Sequence, residues 1–111
     1  MNGKPRKSTV PADIKPLIEA IRGRFSPESI WLFGSRARGD NRKDSDWDIL
    51  VALPDGADPE LLDPIVGWSI GREFDVPATV LFTTACDLSE SWGSPNTLGY
   101  DIAREGRLLV G

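Results

Sequence analysis

Hydrophobic residues fall into a few well-separated runs whose spacing changes along the chain. Ile14, Leu17, Ile18, Ile21 and Phe25 recur every three or four residues, which marks the buried face of a helix over about residues 12–24. Pro16 lies in its first turn, where a missing N–H is tolerated, and the segment Gly23 to Pro27 closes it. Ser29 to Phe33 is a short, β-favouring apolar run ending at Gly34 and reads as a strand. The stretch Gly34 to Lys43 is polar, with Gly39 and Asp40 as turn residues. Trp47 to Leu53 is a second strand, stopped by Pro54-Asp55-Gly56. Leu61, Leu62, Ile65, Val66, Trp68 and Ile70 fit a helix over residues 59–73, and Ala78 to Phe82 a third strand. Ser94-Pro95 reads as an N-cap followed by a first-turn proline, opening a helix that reaches Glu105 and stops at Gly106. Leu108 to Val110 is a last short strand.

The order α-β-β-α-β-α-β predicts an α/β (α+β) domain: a small sheet with helices packed on one side. Residues 1–10, polar and carrying Gly3 and Pro5, read as a flexible N-terminal tail, and residues 11–111 as a single domain. Trp31, Trp47 and Trp68 are expected in the core. Trp92, in the polar stretch Ser89 to Asn96, is expected to be exposed and suited to a partner contact. Tyr100 is expected to pack within its helix.

Charge changes this picture locally. The net charge of −4 argues against direct, stable nucleic-acid binding, which needs an excess of Lys and Arg. Yet Arg36, Arg38, Arg42 and Lys43 crowd the polar stretch between the first two strands, a positive loop suited to a small polyphosphate. The chain has no histidine and one cysteine, Cys86, which excludes a histidine base, a His-ligated zinc and an intrachain disulfide. No apolar run is long enough to span a membrane, and the basic N-terminus lacks the apolar core of a signal peptide. The expected location is the cytoplasm.

Asp46 and Asp48 stand two apart at the start of an apolar strand, so both project from one face while Trp47 points to the other. Two adjacent negative charges call for an offsetting cation. Oxygen ligands on one strand suit Mg²⁺, which completes its shell with waters and substrate phosphates. Upstream, Gly34 lets the backbone approach a ligand closely, and Ser35 offers a hydroxyl and an N–H to a phosphate. A helical turn over residues 35–38 would add free N–H groups.

The run Leu32-Phe33-Gly34-Ser35-Arg36-Ala37-Arg38-Gly39-Asp40, followed after ten intervening residues from Ser35 by Asp46-Trp47-Asp48, resembles the signature of the DNA polymerase-β-like nucleotidyltransferase superfamily. The chain is most similar to its minimal nucleotidyltransferases, and its end, Ile102 to Leu109, is similar to theirs. The resemblance covers about residues 12–110. It implies a mixed sheet flanked by helices and transfer of a nucleoside monophosphate from an NTP, ATP above all, to an acceptor hydroxyl. Asp46 and Asp48 would hold two Mg²⁺ ions, Gly34, Ser35 and Ser45 would contact phosphate, and Arg36 would neutralise polyphosphate charge. Minimal members pair with HEPN-domain proteins in toxin–antitoxin modules, where the nucleotidyltransferase is the antitoxin and can adenylylate a tyrosine of the HEPN ribonuclease. The resemblance thus implies a type VII-like antitoxin with a HEPN toxin as partner, in a homo- or hetero-oligomer.

One position departs from the family pattern. The family carries a third carboxylate on the neighbouring strand, where Thr79 falls here. Asp75 could replace it if that strand begins earlier or is shifted, and Asp87 is a weaker candidate. Two readings therefore stay open: an active protein adenylyltransferase, and a degenerate relative that neutralises a partner or senses nucleotide. A third, an antibiotic-modifying transferase, needs an acceptor domain that this length cannot supply.

Overall fold

The computed structural model describes residues 7–111. Four strands, β1 (Ser29–Phe33), β2 (Trp47–Leu53), β3 (Ala78–Thr84) and β4 (Arg107–Val110), form one sheet in the order β3-β2-β1-β4. β1 runs antiparallel to β2 and β4, whereas β2 and β3 are parallel, so the sheet is mixed. Every residue of β2 is buried except Asp48, as befits an inner strand covered on both faces.

Two apolar layers do the covering. On one face, Ile14 and the Leu17, Ile18 and Ile21 stripe of α1 (Lys15–Phe25) join Ile70 of α3 (Pro64–Glu73) over Ile49, Val51, Leu53 and Val80. On the other, Leu88 of α4 (Ala85–Ser91) and Ile102 of α5 (Leu98–Glu105) cover Trp31, Leu50 and Ala52. The one-sided packing expected from the element order is corrected here. β1 and β2 are apolar on both faces, and the second face needs its own cover. That cover includes α4, which the pattern does not reveal because Leu88 is its one buried residue. Thr84 caps α4 by accepting the N–H of Asp87 at 3.1 Å.

Local chemistry adjusts several boundaries. The helix expected over 59–73 is split: a 3-10 turn, Pro59–Leu62, precedes α3, and the break falls where Pro64 cannot continue a preceding helix. Asp63 caps α3 through the N–H of Ile65 at 3.0 Å. The cap of α5 is Thr97, not Ser94: its hydroxyl accepts the N–H of Tyr100 at 3.2 Å and lies 2.7 Å from the Ser94 carbonyl. A 3-10 turn, Ala12–Ile14, leads into α1, and β3 continues two residues past Phe82.

Trp31 and Trp47 are buried as expected, but Trp68 is 57% exposed on α3. Trp92 is half-buried, its ring edge-on to Trp31 with centroids 5.5 Å apart, because α4 returns it to the second core layer. Of the N-terminal tail, residues 1–6 lie outside the described residues. Lys7 pairs with Leu108, and the N–H of Ser8 donates to the Leu108 carbonyl at 2.6 Å. Among the described residues no helix is long and apolar enough to cross a membrane.

α3 rides directly on β3, since a Cβ on Gly67 would overlap the carbonyl oxygen of Val80. Gly67→Ala should therefore cost about 1–3 kcal/mol through overpacking. Ile49→Ala, at a fully buried centre of β2, should cost about 2–5 kcal/mol. Urea denaturation followed by circular dichroism measures both.

Candidate functional site

The sheet places Asp48 between Phe33 of β1 and Thr79 of β3, directly opposite each in register. Asp46 precedes β2 by one residue, where the N–H of Trp47 donates to the Pro77 carbonyl at 2.8 Å. Trp47 turns into the α1 layer, so Asp46 and Asp48 share the opposite side of the strand. Asp46 is exposed and Asp48 half-buried. Burial pushes the Asp48 carboxyl above the ordinary aspartate range, the negative charge of Asp46 pushes it further, and Arg38 opposes both.

Gly34, at the end of β1, has φ 74° and ψ −158°, a backbone region that a side chain makes costly. A Cβ built there would overlap the Asp48 carboxylate. The glycine is thus required twice, by its torsion and by the carboxylate packed against it. Its carbonyl accepts the N–H groups of Ala37 and Arg38, both at 3.1 Å, and starts the short helix α2 (Ser35–Arg38). Ser35 is thereby set on the rim beside the carboxylate pair.

Two other sequence candidates hold the loop together. Arg36 was expected to neutralise polyphosphate, but its guanidinium donates to the carbonyls of Ser45 at 3.0 Å and Lys43 at 3.1 Å. It also lies 4.1 Å over the Trp47 ring, on the side of the strand away from Asp48. The Ser45 hydroxyl, expected on phosphate, accepts the N–H of Arg42 at 2.8 Å. Both residues close the loop between α2 and β2 and so fix where Asp46 begins. The basic residue whose charge reaches Asp48 is Arg38, paired with Asp40 at 3.1 Å and Glu105 at 3.4 Å. Its position in the motif gave it no advantage over Arg36; only the curl of α2 separates them.

Asp75 does not complete the carboxylate set. β3 begins at Ala78, paired with Trp47, so the strand neither starts early nor shifts. Asp75 stays in the preceding turn with φ 53° and is exposed. It lines, with Asp46, Trp68 and Arg72, a surface depression of about 570 Å³. Asp87 belongs to the first turn of α4. Among the described residues no three Asp, Glu, Cys or His side chains gather as a metal-ligand group. Thr79, exposed, occupies the place beside Asp48.

Residues 14–75, which contain both the Gly34-Ser35 turn and the Asp46/Asp48 pair, match the family model described as a nucleotidyltransferase domain. The chain belongs to the nucleotidyltransferase domain family. Two solved structures share the fold of this nucleotidyltransferase domain. One is a presumptive nucleotidyltransferase from Sulfolobus solfataricus, 20% identical over 86% of this chain and 75% of that one, with a TM-score of 0.58. The other is a toxin–antitoxin solved with AMP-PNP, 24% identical over 86% of this chain and 72% of that one, with a TM-score of 0.58. No curated protein matches the chain.

Two outcomes follow for the contact between Gly34 and Asp48. Gly34→Ala should destabilise the fold by about 1–3 kcal/mol, since it adds left-handed strain to a clash with Asp48; chemical denaturation reads the loss. Because the Asp48 carboxyl is held above its unfolded range, the folded state binds its proton more tightly. Ionised Asp48 therefore costs stability, a cost absent in acid and present once pH has risen through the folded value. Asp48→Asn should melt higher than the parent at neutral pH, with the difference vanishing in acid. Thermal melts across that pH range test it.

Proposed function

We propose that this nucleotidyltransferase domain binds Mg²⁺–ATP at Asp46, Asp48, Gly34 and Ser35 and transfers the AMP moiety to a hydroxyl of a partner protein. The single observation that carries the reading is the seating of Asp48 against the Gly34 backbone, which brings a metal-binding oxygen and a close-approach turn to one rim. The donor set suits Mg²⁺: oxygen only, with an ionisation cost at Asp48, next to Asp46, that a divalent cation offsets. Two carboxylates fit one ion held jointly with nucleotide phosphates. The bound ion would supply neutralisation of charge on the α-phosphate and the leaving pyrophosphate.

In the reaction, the acceptor oxygen forms a bond to the α-phosphorus, the α–β phosphoanhydride bond breaks, pyrophosphate leaves, and the acceptor proton passes to water or a neighbouring base. Ser35 would orient the outer phosphates by its hydroxyl and N–H, and the loop clamped by Arg36 holds Asp46 in place. The acceptor would be a HEPN-domain ribonuclease toxin, with this chain its type VII-like antitoxin in the cytoplasm. Similarity to a toxin–antitoxin solved with AMP-PNP, and the resemblance of the Gly34 to Asp48 run to minimal nucleotidyltransferases, support that partner.

Thr79 beside Asp48 favours a second reading, in which the domain binds Mg²⁺–nucleotide and masks the toxin without efficient transfer. The two readings separate on one experiment. The chain is incubated with Mg²⁺, ATP labelled at the α-phosphate and a purified HEPN-domain protein. Active transfer predicts a labelled toxin and loss of label with Asp46→Asn; equal labelling by that variant, or none by the parent, removes the transferase reading. Thr79→Asp restores a carboxylate at the neighbouring strand and should raise the rate by at least about tenfold, within the range a positioned base supplies. Mg²⁺ with AMP-PNP should raise the melting temperature of the parent and not of Asp46→Asn, and EDTA should reverse the shift.

A further inference from the structure

We infer that the pocket behind α2, lined by Arg36 and Arg107, is a second anion site that takes a small phosphate oxyanion, pyrophosphate or inorganic phosphate, without Mg²⁺. It lies on the Trp47 side of the sheet, away from Asp48, and so is separate from the site described above. Its floor is apolar, made by Leu32 of β1, Trp47 of β2 and Leu109 of β4. Arg107 stands opposite Leu32 in the ladder and two residues before Leu109, which puts both β4 side chains on this face. Ser8, Thr9 and Asn41 supply polar walls, with Ser8 held along β4 by its N–H bond to the Leu108 carbonyl.

Both guanidiniums are fixed before any ligand arrives. Arg107 Nε donates to the Ala37 carbonyl at 2.8 Å. Arg36 donates from Nε to the Ser45 carbonyl and from Nη2 to the Lys43 carbonyl, and it stacks 4.1 Å over the Trp47 ring. These bonds leave the Nη1 group of Arg36 and both Nη groups of Arg107 with no acceptor among the described residues. Neither arginine pairs with a carboxylate among those residues, where the ion pairs belong to Arg24 and Arg38. Guanidiniums clamped in this way lose little side-chain entropy on binding, and their planar forks match the oxygens of a phosphate.

Charge and shape select the ligand. No acidic side chain among the described residues lines the pocket, although the chain carries a net charge of −4. Its positive field is therefore local, and a general attraction of anions to the surface does not account for it. Two like charges facing one pocket repel each other, and an oxyanion between them offsets that repulsion. The volume of about 430 Å³ admits pyrophosphate, and the Ser8 and Thr9 hydroxyls and the Asn41 amide are donors for its remaining oxygens. A nucleobase finds no stacking face here, because Trp47 is buried and Arg36 covers its ring. The phosphate group itself is what the pocket recognises.

The test titrates the full chain with phosphate, pyrophosphate and AMP in EDTA, so that no divalent cation draws anions to Asp46 and Asp48. Ionic strength is matched throughout with potassium chloride. Calorimetry gives the Kd, and ¹H–¹⁵N spectra locate the site. Binding should saturate, with pyrophosphate tighter than phosphate and AMP no tighter than phosphate. The Nε–H signals of Arg36 and Arg107 and the amides of Thr9 and Asn41 should shift. Arg107→Gln should weaken binding by about tenfold or more, the loss expected for a charge-assisted hydrogen bond. Thr9→Glu should do the same by placing a carboxylate at the exposed rim, and it leaves both arginine clamps intact. Thermal melting checks that each variant folds, and Thr9→Glu decides the matter if Arg107→Gln does not. The proposal is overturned by an equal response to potassium chloride alone, by full affinity in Thr9→Glu, or by shifts centred on Gly34 and Ser35. AMP binding tenfold tighter than phosphate also overturns it, since the base would then be part of what is recognised.

Discussion

The contact between the Gly34 backbone and the Asp48 carboxylate constrains nearly everything around the site. It joins the end of one strand to the beginning of its antiparallel neighbour at the one place where β2 is polar. No side chain fits at Gly34, so the chain turns sharply there into α2. The turn fixes Arg38 within electrostatic reach of Asp48, and it lets Arg36 swing to the far side, where it stacks on Trp47 and ties down the returning loop. One steric requirement thus sets the site's rim, its nearest cation and the entry of the strand that carries both aspartates.

The cost of that arrangement is electrostatic. Asp48 is partly removed from water next to Asp46, and the opposing charge found among the described residues, Arg38, is shared with Asp40 and Glu105. A fold selected for stability alone would place a neutral residue there. At the mouth of an otherwise apolar strand, this carboxylate is one that added positive charge would stabilise. The same logic makes Thr79 informative. Across the parallel ladder from Asp48, it adds no third negative charge, which keeps the electrostatic cost at this end of the sheet lower than a third carboxylate would make it.

The two layers of helices divide the labour. α1, α4 and α5 bury the sheet, while α3 buries one side against β3, drawn close by Gly67, and leaves Ile65 and Trp68 outward. The exposed stripe adjoins Asp46 because α3 leads straight into the turn before β3, whose Pro77 carbonyl takes the Trp47 N–H.

Local chemistry alone specified much of this. The runs Ser29–Phe33 and Trp47–Leu53 are strands with the bounds their apolar composition marks, and the family match covers the Gly34-Ser35 and Asp46/Asp48 motifs whose spacing the sequence displays. The parity of a strand puts Asp46 and Asp48 on one side without further information, and the same register places Thr79 opposite. Other features are not local. α4 buries one leucine, too little for a periodic signal, and exists because the second sheet face needs cover. Trp92 is packed and Trp68 exposed for reasons that lie in which face each helix turns toward the sheet. Arg36 and Arg38, two residues apart on one motif, acquire opposite roles from the direction of a single helical turn. Asp75 is not carried on the strand beside Asp48 because β3 starts three residues after it. Sequence determined which residues carry the candidate chemistry; the tertiary structure decided which of them stand together, because proximity across strands depends on register, and on the cover each face receives from the rest of the chain.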